Sequence, residues 1–338
     1  MIRSALRHPV LSSAAAAAAS VAAILGIGLI AHLSTVVHAI GDQHPSWLGV
    51  TFGAEILSFP SYALTYRTIV RRYGHQYLTA RVTVHMVLAG FGLFAVLGGF
   101  SLDRIGLQRL GADPEGARRS VLALGLVELI TLATAGFLAS IALLAGGSPV
   151  PGSMLWPWAI GVPGASLVAV GLLIYARRHS QTWSPRLRRR AEHGWRLIGM
   201  LSELARLPQA WCGIGLYFTA DIASLFAAVR AVGLRLGVGA VLIAYASGYL
   251  FTRRTLPLAS AAFVEVLLTF SLFWVGAPLT SALAAVIVYR TLGLPLYVGF
   301  SMVARARLLP LVRDSPASAL SGKVGSETSQ SPGARPKA

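Results

Sequence analysis

The stretch SVLALGLVELITLATAGFLASIALLA, Ser120–Ala145, contains one charged residue, Glu128. A helix needs about 20 mainly apolar residues to cross a hydrocarbon core of about 30 Å, and this stretch exceeds that length. Arg118 and Arg119 stand just before it, whereas Gly146–Ser153 after it carries no lysine or arginine. Cytoplasmic loops of membrane proteins collect basic residues. The segment therefore reads as a span that starts inside and ends outside.

Composition extends that reading to the whole chain. Of 338 residues, 55% are hydrophobic and only 12% are charged, whereas a soluble domain carries about a quarter charged residues. So small a share cannot cover a water-soluble globule. The net charge of +17 would suggest nucleic acid in a soluble chain. Here the basic residues fall between and beyond the apolar runs, and outside those runs no basic stretch is interleaved with base-stacking aromatics, so no nucleic-acid partner is expected. Lys323 and Lys337 are the only lysines, and with the alanine and glycine content this fits a GC-rich bacterial genome. Cys212 is the only cysteine, which rules out an intramolecular disulfide and a cysteine-based metal cluster.

Working outward, further spans read as Leu11–Ile40, Trp47–Val70, Met154–Ala176, Gln209–Val229, Leu236–Leu250, Leu258–Val275 and Ser281–Val303. The first follows Arg3 and Arg7 but greatly exceeds the core of about 7–15 residues of a signal peptide, so it reads as a retained span. Arg67, Arg71, Arg72 and Arg81 mark one cytoplasmic loop, and the arginines from Arg177 to Arg206 mark another. Gly41–Ser46 is free of lysine and arginine and reads as external. The apolar, glycine-rich stretch Leu78–Phe100 then starts and finishes inside. It reads as a re-entrant hairpin, tolerated at membrane depth only where protein or a wet cavity surrounds it; the alternative is a plain span followed by a weakly basic external loop. Leu258–Val275, preceded by Arg253, Arg254 and Pro257, reads equally well as a second re-entrant element or a kinked span.

The expected fold is all-α: a polytopic integral membrane helix bundle of about eight spans plus one or two re-entrant segments, with both termini in the cytoplasm. One transmembrane domain covers residues 1–303. Its two halves, about 11–176 and 208–303, are joined by a basic interfacial helix over 185–207, where Leu187, Ala191, Trp195, Ile198, Leu201 and Ala205 recur at helical spacing. Residues 304–338 read as a disordered basic, serine-rich cytoplasmic tail. Gly111-Ala112, Ala117 and Val121 match Gly276-Ala277, Ala282 and Val286 at identical spacing. With the spans that follow them running in opposite directions, the match points to an inverted repeat.

Four of twelve acidic residues fall inside expected spans: Glu55, Glu128, Asp221 and Glu265, with Asp103 just after the glycine-rich segment. An ionised group near the bilayer centre costs about 2.5–3.5 kcal/mol on insertion scales. These groups must therefore face the bundle interior, a wet cavity or a basic partner. Arg290 is the basic partner inside a span, with Arg104 and Arg109 further candidates. Taken singly, each acid also fits a buried ion pair or a protonated carboxyl that orients helices, and His32, His38 and His85 fit core positions. No phosphate-cradling G-x-x-x-x-G-K-[ST], H-E-x-x-H or G-x-S-x-G motif occurs. No catalytic residue, cofactor or metal is assigned, and whether the chain is an enzyme stays open, with no motif in favour.

Two patches resemble the transmembrane region of lysylphosphatidylglycerol synthases. The first runs from Gly98-Gly99-Phe100-Ser101-Leu102-Asp103-Arg104 through Leu107, Leu110-Gly111 and Ala117 to Glu128. The second runs from Pro257 through Glu265, Gly276, Ala282, Ala285 and Tyr289-Arg290 to Pro295 and Gly299. Where that family has Pro-Gly-Gly before the glutamate, this chain has Leu258-Ala259-Ser260. The resemblance implies a flippase-like membrane region without the soluble aminoacyl-transfer domain, in the cytoplasmic membrane. The candidate substrate site is a polar cavity lined by Glu55, Asp103, Arg104, Arg109, Glu128, Asp221, Glu265, Tyr289 and Arg290. The expected partners are a membrane phospholipid or polyprenyl-linked lipid, with anionic lipid headgroups at the basic loops; self-association is open. The leading functional expectation is movement of a lipid headgroup between leaflets. The alternatives are a membrane transferase acting on a lipid-linked substrate, or a non-catalytic accessory protein docking a partner through its basic loop and tail.

Overall fold

The computed structural model describes residues 9–41, 44–97, 99–179, 185–250 and 260–293, and no strand occurs among them. The helices are α1 (Pro9–Ile30), α2 (Leu33–Gly41), α3 (Pro45–Tyr73), α4 (Ala80–Leu97), α5 (Gly99–Arg109) and α6 (Pro114–Ala145). They continue with α7 (Gly152–Trp156), a π-helical turn (Pro157–Gly161), α8 (Val162–His179), α9 (Pro185–Leu204), α10 (Pro208–Ala231), α11 (Val238–Leu250), α12 (Ser260–Trp274) and α13 (Leu279–Gly293). Proline opens α3, α6 and α10, where its missing N–H costs nothing because the first turn has no partner for it.

Among the described residues, three helices are long and apolar enough to cross a membrane: Pro114–Ala145, Gly152–Ala176 and Pro208–Ala231. The surface fits a lipid solvent. On α8, Leu167, Val168 and Leu172 are 73%, 62% and 62% exposed. α3 is built inside out: Thr51, Glu55, Ser58, Tyr62 and Thr65 are buried, while Val50, Phe52, Ile56, Leu57 and Leu64 face outward. Water would reverse that arrangement; hydrocarbon demands it.

α3 and α10 form the central pair, antiparallel along their length. His44 N–H donates to the Ala231 carbonyl at one end (3.1 Å) and Thr65 Oγ1 to the Ala210 carbonyl towards the other (3.0 Å). Gly213 makes the close approach possible. A Cβ there would lie 2.5 Å from Thr65 Oγ1 and 2.8 Å from the Ser61 carbonyl oxygen. Small residues let membrane helices touch in this way. Gly213→Leu should therefore force the pair apart and lower stability by about 1–3 kcal/mol. Gly215→Leu, whose Cβ meets open space, should be near neutral. Thermal unfolding of both variants in detergent checks this; equal midpoints would refute the tight crossing.

α6 starts where α3 ends, with Gly116 against the Tyr73 carbonyl, and finishes beside the start of α11, with Leu143 against Gly239. α12 packs antiparallel on α11 through Gly248 and Leu268. α13 lies between the central core, which holds its Ala282, Ala285, Val286 and Tyr289, and α1–α2, which meet Leu283 and Ala284. The bundle thus has two ends. At one, α9 docks: Arg72 pairs with Glu203 (3.3 Å) and Tyr73 Oη donates to the Met200 carbonyl. At the same end, within the first turns of α6, Glu115 binds Arg118 and Arg119. Glu115 lies ahead of the apolar stretch of α6, and the hydrogen bond from Arg118, joined by Arg119, holds its carboxyl down to about 2. The connections before α3, after α6, after α10 and after α12 gather at the opposite end.

Several elements differ from the sequence reading. The run Leu11–Ile40 is broken at Ala31 and His32, where His32 takes a left-handed conformation (φ 58°). The reversal expected inside Leu78–Phe100 does not occur at Gly90 or Gly92. α4 runs unbroken to Leu97, because backbone in an apolar setting keeps its hydrogen bonds by staying helical. The returning limb is α5, which packs antiparallel on α4 through Gly106 and Met86 and brings the Leu110 carbonyl back to Gln76 Nε2 (2.9 Å). Asp103 and Arg104 therefore belong to this hairpin instead of following it. α5, at about 1.5 Å per residue, is about 16 Å long, too short to cross a bilayer.

The Gly111 and Gly276 turns share one geometry: both glycines have positive φ (94° and 108°), and Ala112 and Ala277 N–H groups reach back to the Leu107 and Leu272 carbonyls. The same closure follows α6 at Gly147 and α10 at Gly233, so the turn alone is a general helix ending. What the two copies add is a new helix starting at once, at opposite ends of the bundle. The expectations for residues 251–259, for the last span beyond Gly293 and for the tail 304–338 lie outside the described residues.

Candidate functional site

The buried polar groups meet between α3, α6, α10, α11, α12 and α13. Asp221 on α10 is their hub. Its Oδ1 accepts from Tyr289 Oη (2.6 Å), and its Oδ2 accepts from Tyr245 Oη and from Tyr217 Oη (3.3 Å). Tyr289 has one proton and gives it to Asp221, so the hydroxyl pair Tyr249–Tyr289 (2.8 Å) must run with Tyr249 as donor. The Tyr245 and Tyr249 rings stack one helical turn apart (centroids 4.5 Å). Phenols suit this place because each ring is apolar while its hydroxyl finds a partner.

Two further carboxyls join the hub. Glu55 on α3 accepts from Ser224 Oγ (3.2 Å), one turn beyond Asp221 on α10. Glu128 on α6 accepts from Tyr62 Oη (2.8 Å), and the Tyr62 ring meets the Tyr217 ring edge-on at 5.3 Å. Glu55, Glu128 and Asp221 are all at most 5% exposed.

The second part of the site is an ion pair. Arg290 Nε on α13 donates to Glu265 Oε1 on α12 (2.9 Å), with the glutamate side chain 1% and the arginine side chain 14% exposed. Glu265 Oε2 and Thr269 Oγ1, one turn further along α12, are buried with no hydrogen-bond partner among the described residues. Adjacent residues on α13 thus reach different acids: Tyr289 ties the helix to Asp221, and Arg290 ties it to Glu265. Among the described residues no three His, Cys, Asp or Glu side chains converge to hold a metal ion.

Of the nine residues expected from sequence, six lie in this group: Glu55, Glu128, Asp221, Glu265, Tyr289 and Arg290. Asp103 is buried on α5, with Leu107 one turn on packed in the core. Arg104 and Arg109 stand on the exposed side of the same helix. The sequence reading missed Tyr62, Tyr217, Tyr245, Tyr249 and Ser224. A signal existed: Tyr62 and Tyr66, Tyr217 and Asp221, and Tyr245 and Tyr249 are each four residues apart inside apolar runs, which puts polar groups on one helix face.

A separate apolar groove of about 490 Å³ opens beside the π-helical turn, between Leu129 and Ala133 of α6, Trp158 and Val162. Trp158 Nε1 donates to Ser247 Oγ at its inner wall (3.0 Å). Pro157, which lacks an N–H to continue an α-helical ladder, accounts for the turn.

Compared with known proteins, the chain matches no protein-family model, and no curated protein matches it significantly.

Proposed function

We propose that the chain is a polytopic protein of the cytoplasmic membrane that moves the headgroup of a phospholipid or glycolipid between leaflets. The observation that carries this reading is the gathering of four acids, one arginine and five tyrosines in the middle of a bundle whose outer surface is apolar. Holding several ionisable groups in such a place is costly, and a route for a polar headgroup requires them. Arg290 would take the headgroup phosphate by a charge-assisted bond in exchange for Glu265. Asp221, Glu55 and Glu128 would receive a cationic headgroup group in exchange for phenol hydroxyls, while the acyl tails stay in lipid.

In this reading about eight spans cross the membrane, α9 lies on the cytoplasmic surface against anionic lipid, and both termini are cytoplasmic. The α4–α5 hairpin is re-entrant, since both its ends return to the α9 end and α5 is too short to span. The turns at Gly111 and Gly276, at opposite ends, support two inverted halves. The two sequence patches that resemble the lysylphosphatidylglycerol synthase membrane region point to the same class of substrate.

The test is transbilayer movement of fluorescent lipids in proteoliposomes, read by dithionite reduction of the outer leaflet. The series covers phosphatidylglycerol, an aminoacylated phosphatidylglycerol, phosphatidylethanolamine and a polyprenyl phosphate. Movement of at least one faster than in protein-free vesicles is expected. Protein-free rates for every headgroup would count against the proposal.

A further inference from the structure

A polar pocket lies further along α10 from the mid-bundle cluster, at the end opposite α9. It is a cavity of about 370 Å³ lined by His44, Trp47, Phe226, Arg230, Gly233, Leu234 and Arg235. We propose that this pocket binds a phosphate-bearing anion.

The argument begins with charge. Of the connections gathered at this end, Gly41–Ser46, Gly146–Ser153 and 275–280 contain no lysine or arginine, so among the described residues the arginines there are Arg235 and, on the last turn of α10, Arg230. Both line the one pocket, together with the His44 imidazole, and no acidic side chain lines it. Asp42, two positions before His44, lies outside the described residues. Two arginines facing one small cavity repel each other, and an anion between them removes that repulsion.

The geometry is prepared for such a ligand. The Arg230 guanidinium lies over the Phe226 ring (4.9 Å) and donates through Nη2 to the Leu236 carbonyl (3.2 Å), which fixes its plane and leaves its other N–H groups for binding. Trp47 meets Phe226 edge-on (6.3 Å), so one wall is aromatic. The first turn of α3, whose cap residue His44 makes no side-chain capping bond, adds its partial positive charge. Arginine forks match phosphate oxygens, and the volume falls within the range of small-ligand sites. An aromatic wall beside arginines at a helix end is also the chemistry found at the headgroup level of a bilayer, which makes a lipid phosphodiester the favoured source over free phosphate.

The test is calorimetric titration of the purified full chain in detergent with three probes: monomeric dihexanoylphosphatidylglycerol, dihexanoylphosphatidylcholine and inorganic phosphate. Saturable binding of the anionic lipid is expected, weakening as salt rises. Arg230→Gln/Arg235→Gln should raise Kd at least tenfold. Arg235→Gln alone, at an exposed position, should raise it several-fold even if the double variant fails to fold. Tight binding of dihexanoylphosphatidylglycerol with no response to phosphate assigns the pocket to a lipid headgroup; equal binding of phosphate assigns it to the free anion. No saturable binding by any probe, or wild-type affinity in the folded arginine variants, overturns the proposal. Binding is read without transport and through Arg230 and Arg235, which lie outside the mid-bundle cluster, so failure here is distinct from failure of the mid-bundle reading.

Discussion

Arg290→Met should lower stability by about 3–5 kcal/mol, the cost of leaving one partner of a buried ion pair uncompensated. Glu265 is 1% exposed at its side chain, and its Oε2 already lacks a partner among the described residues, so Arg290 Nε provides its one hydrogen bond there. Removing Arg290 leaves a buried carboxylate that must take up a proton or draw water into the bundle. Replacing both members, Glu265→Leu with Arg290→Met, removes the charge and the partner together and should recover most of the loss. Buried pairs replaced by apolar groups are often neutral or more stable. Unfolding in detergent with increasing denaturant, measured for the two single variants and the double, closes the cycle. Additive losses would mean that the two side chains do not act as a pair.

Asp221→Ala should be the most damaging change in the other half of the site. Three phenol hydroxyls, those of Tyr217, Tyr245 and Tyr289, donate to this one carboxylate. A buried donor deprived of its acceptor costs about 1–3 kcal/mol. Even where these tyrosines find other partners, the loss should reach about 2–3 kcal/mol. Asp221→Asn keeps one acceptor oxygen but turns an N–H₂ toward a phenol, so it should fall between wild type and alanine. Tyr289→Phe in the alanine background should cost less than in wild type, because its acceptor is already gone. The same unfolding measurement reads wild type and the four variants. Equal stability of Asp221→Ala and wild type would show that the hub is not a structural unit.

Much of this architecture is visible in the chain because two physical signals are strong. Apolar length marks the helices, and proline and glycine mark their ends, as at Pro45, Pro114 and Pro208 and at Gly111, Gly233 and Gly276. The acids were found because a carboxyl within an apolar run is conspicuous. Apart from Tyr289, which stands beside Arg290, the tyrosines are not conspicuous, since a phenol counts as hydrophobic in composition and shows its polarity only when a partner faces it. α3 hides its polar stripe for a similar reason: Thr51, Glu55, Ser58, Tyr62 and Thr65 are spread among outward apolar residues, and only helical spacing collects them. α5 is not marked as a helix by apolar length because Ser101, Asp103, Arg104, Gln108 and Arg109 dilute its hydropathy. Which of those side chains turn inward depends on α4 and α6, so Asp103 is buried while its neighbour Arg104 is exposed.

The account rests on the mid-bundle acids and Arg290 being the path of a headgroup, beyond any part they play in holding helices together. The double variant Glu265→Leu/Arg290→Met separates these roles, because it should fold about as well as wild type. Its rate of fluorescent-lipid movement in proteoliposomes, per folded molecule and with the best wild-type headgroup, is the decisive measurement. The account predicts a fall of at least tenfold; movement at the wild-type rate would contradict it.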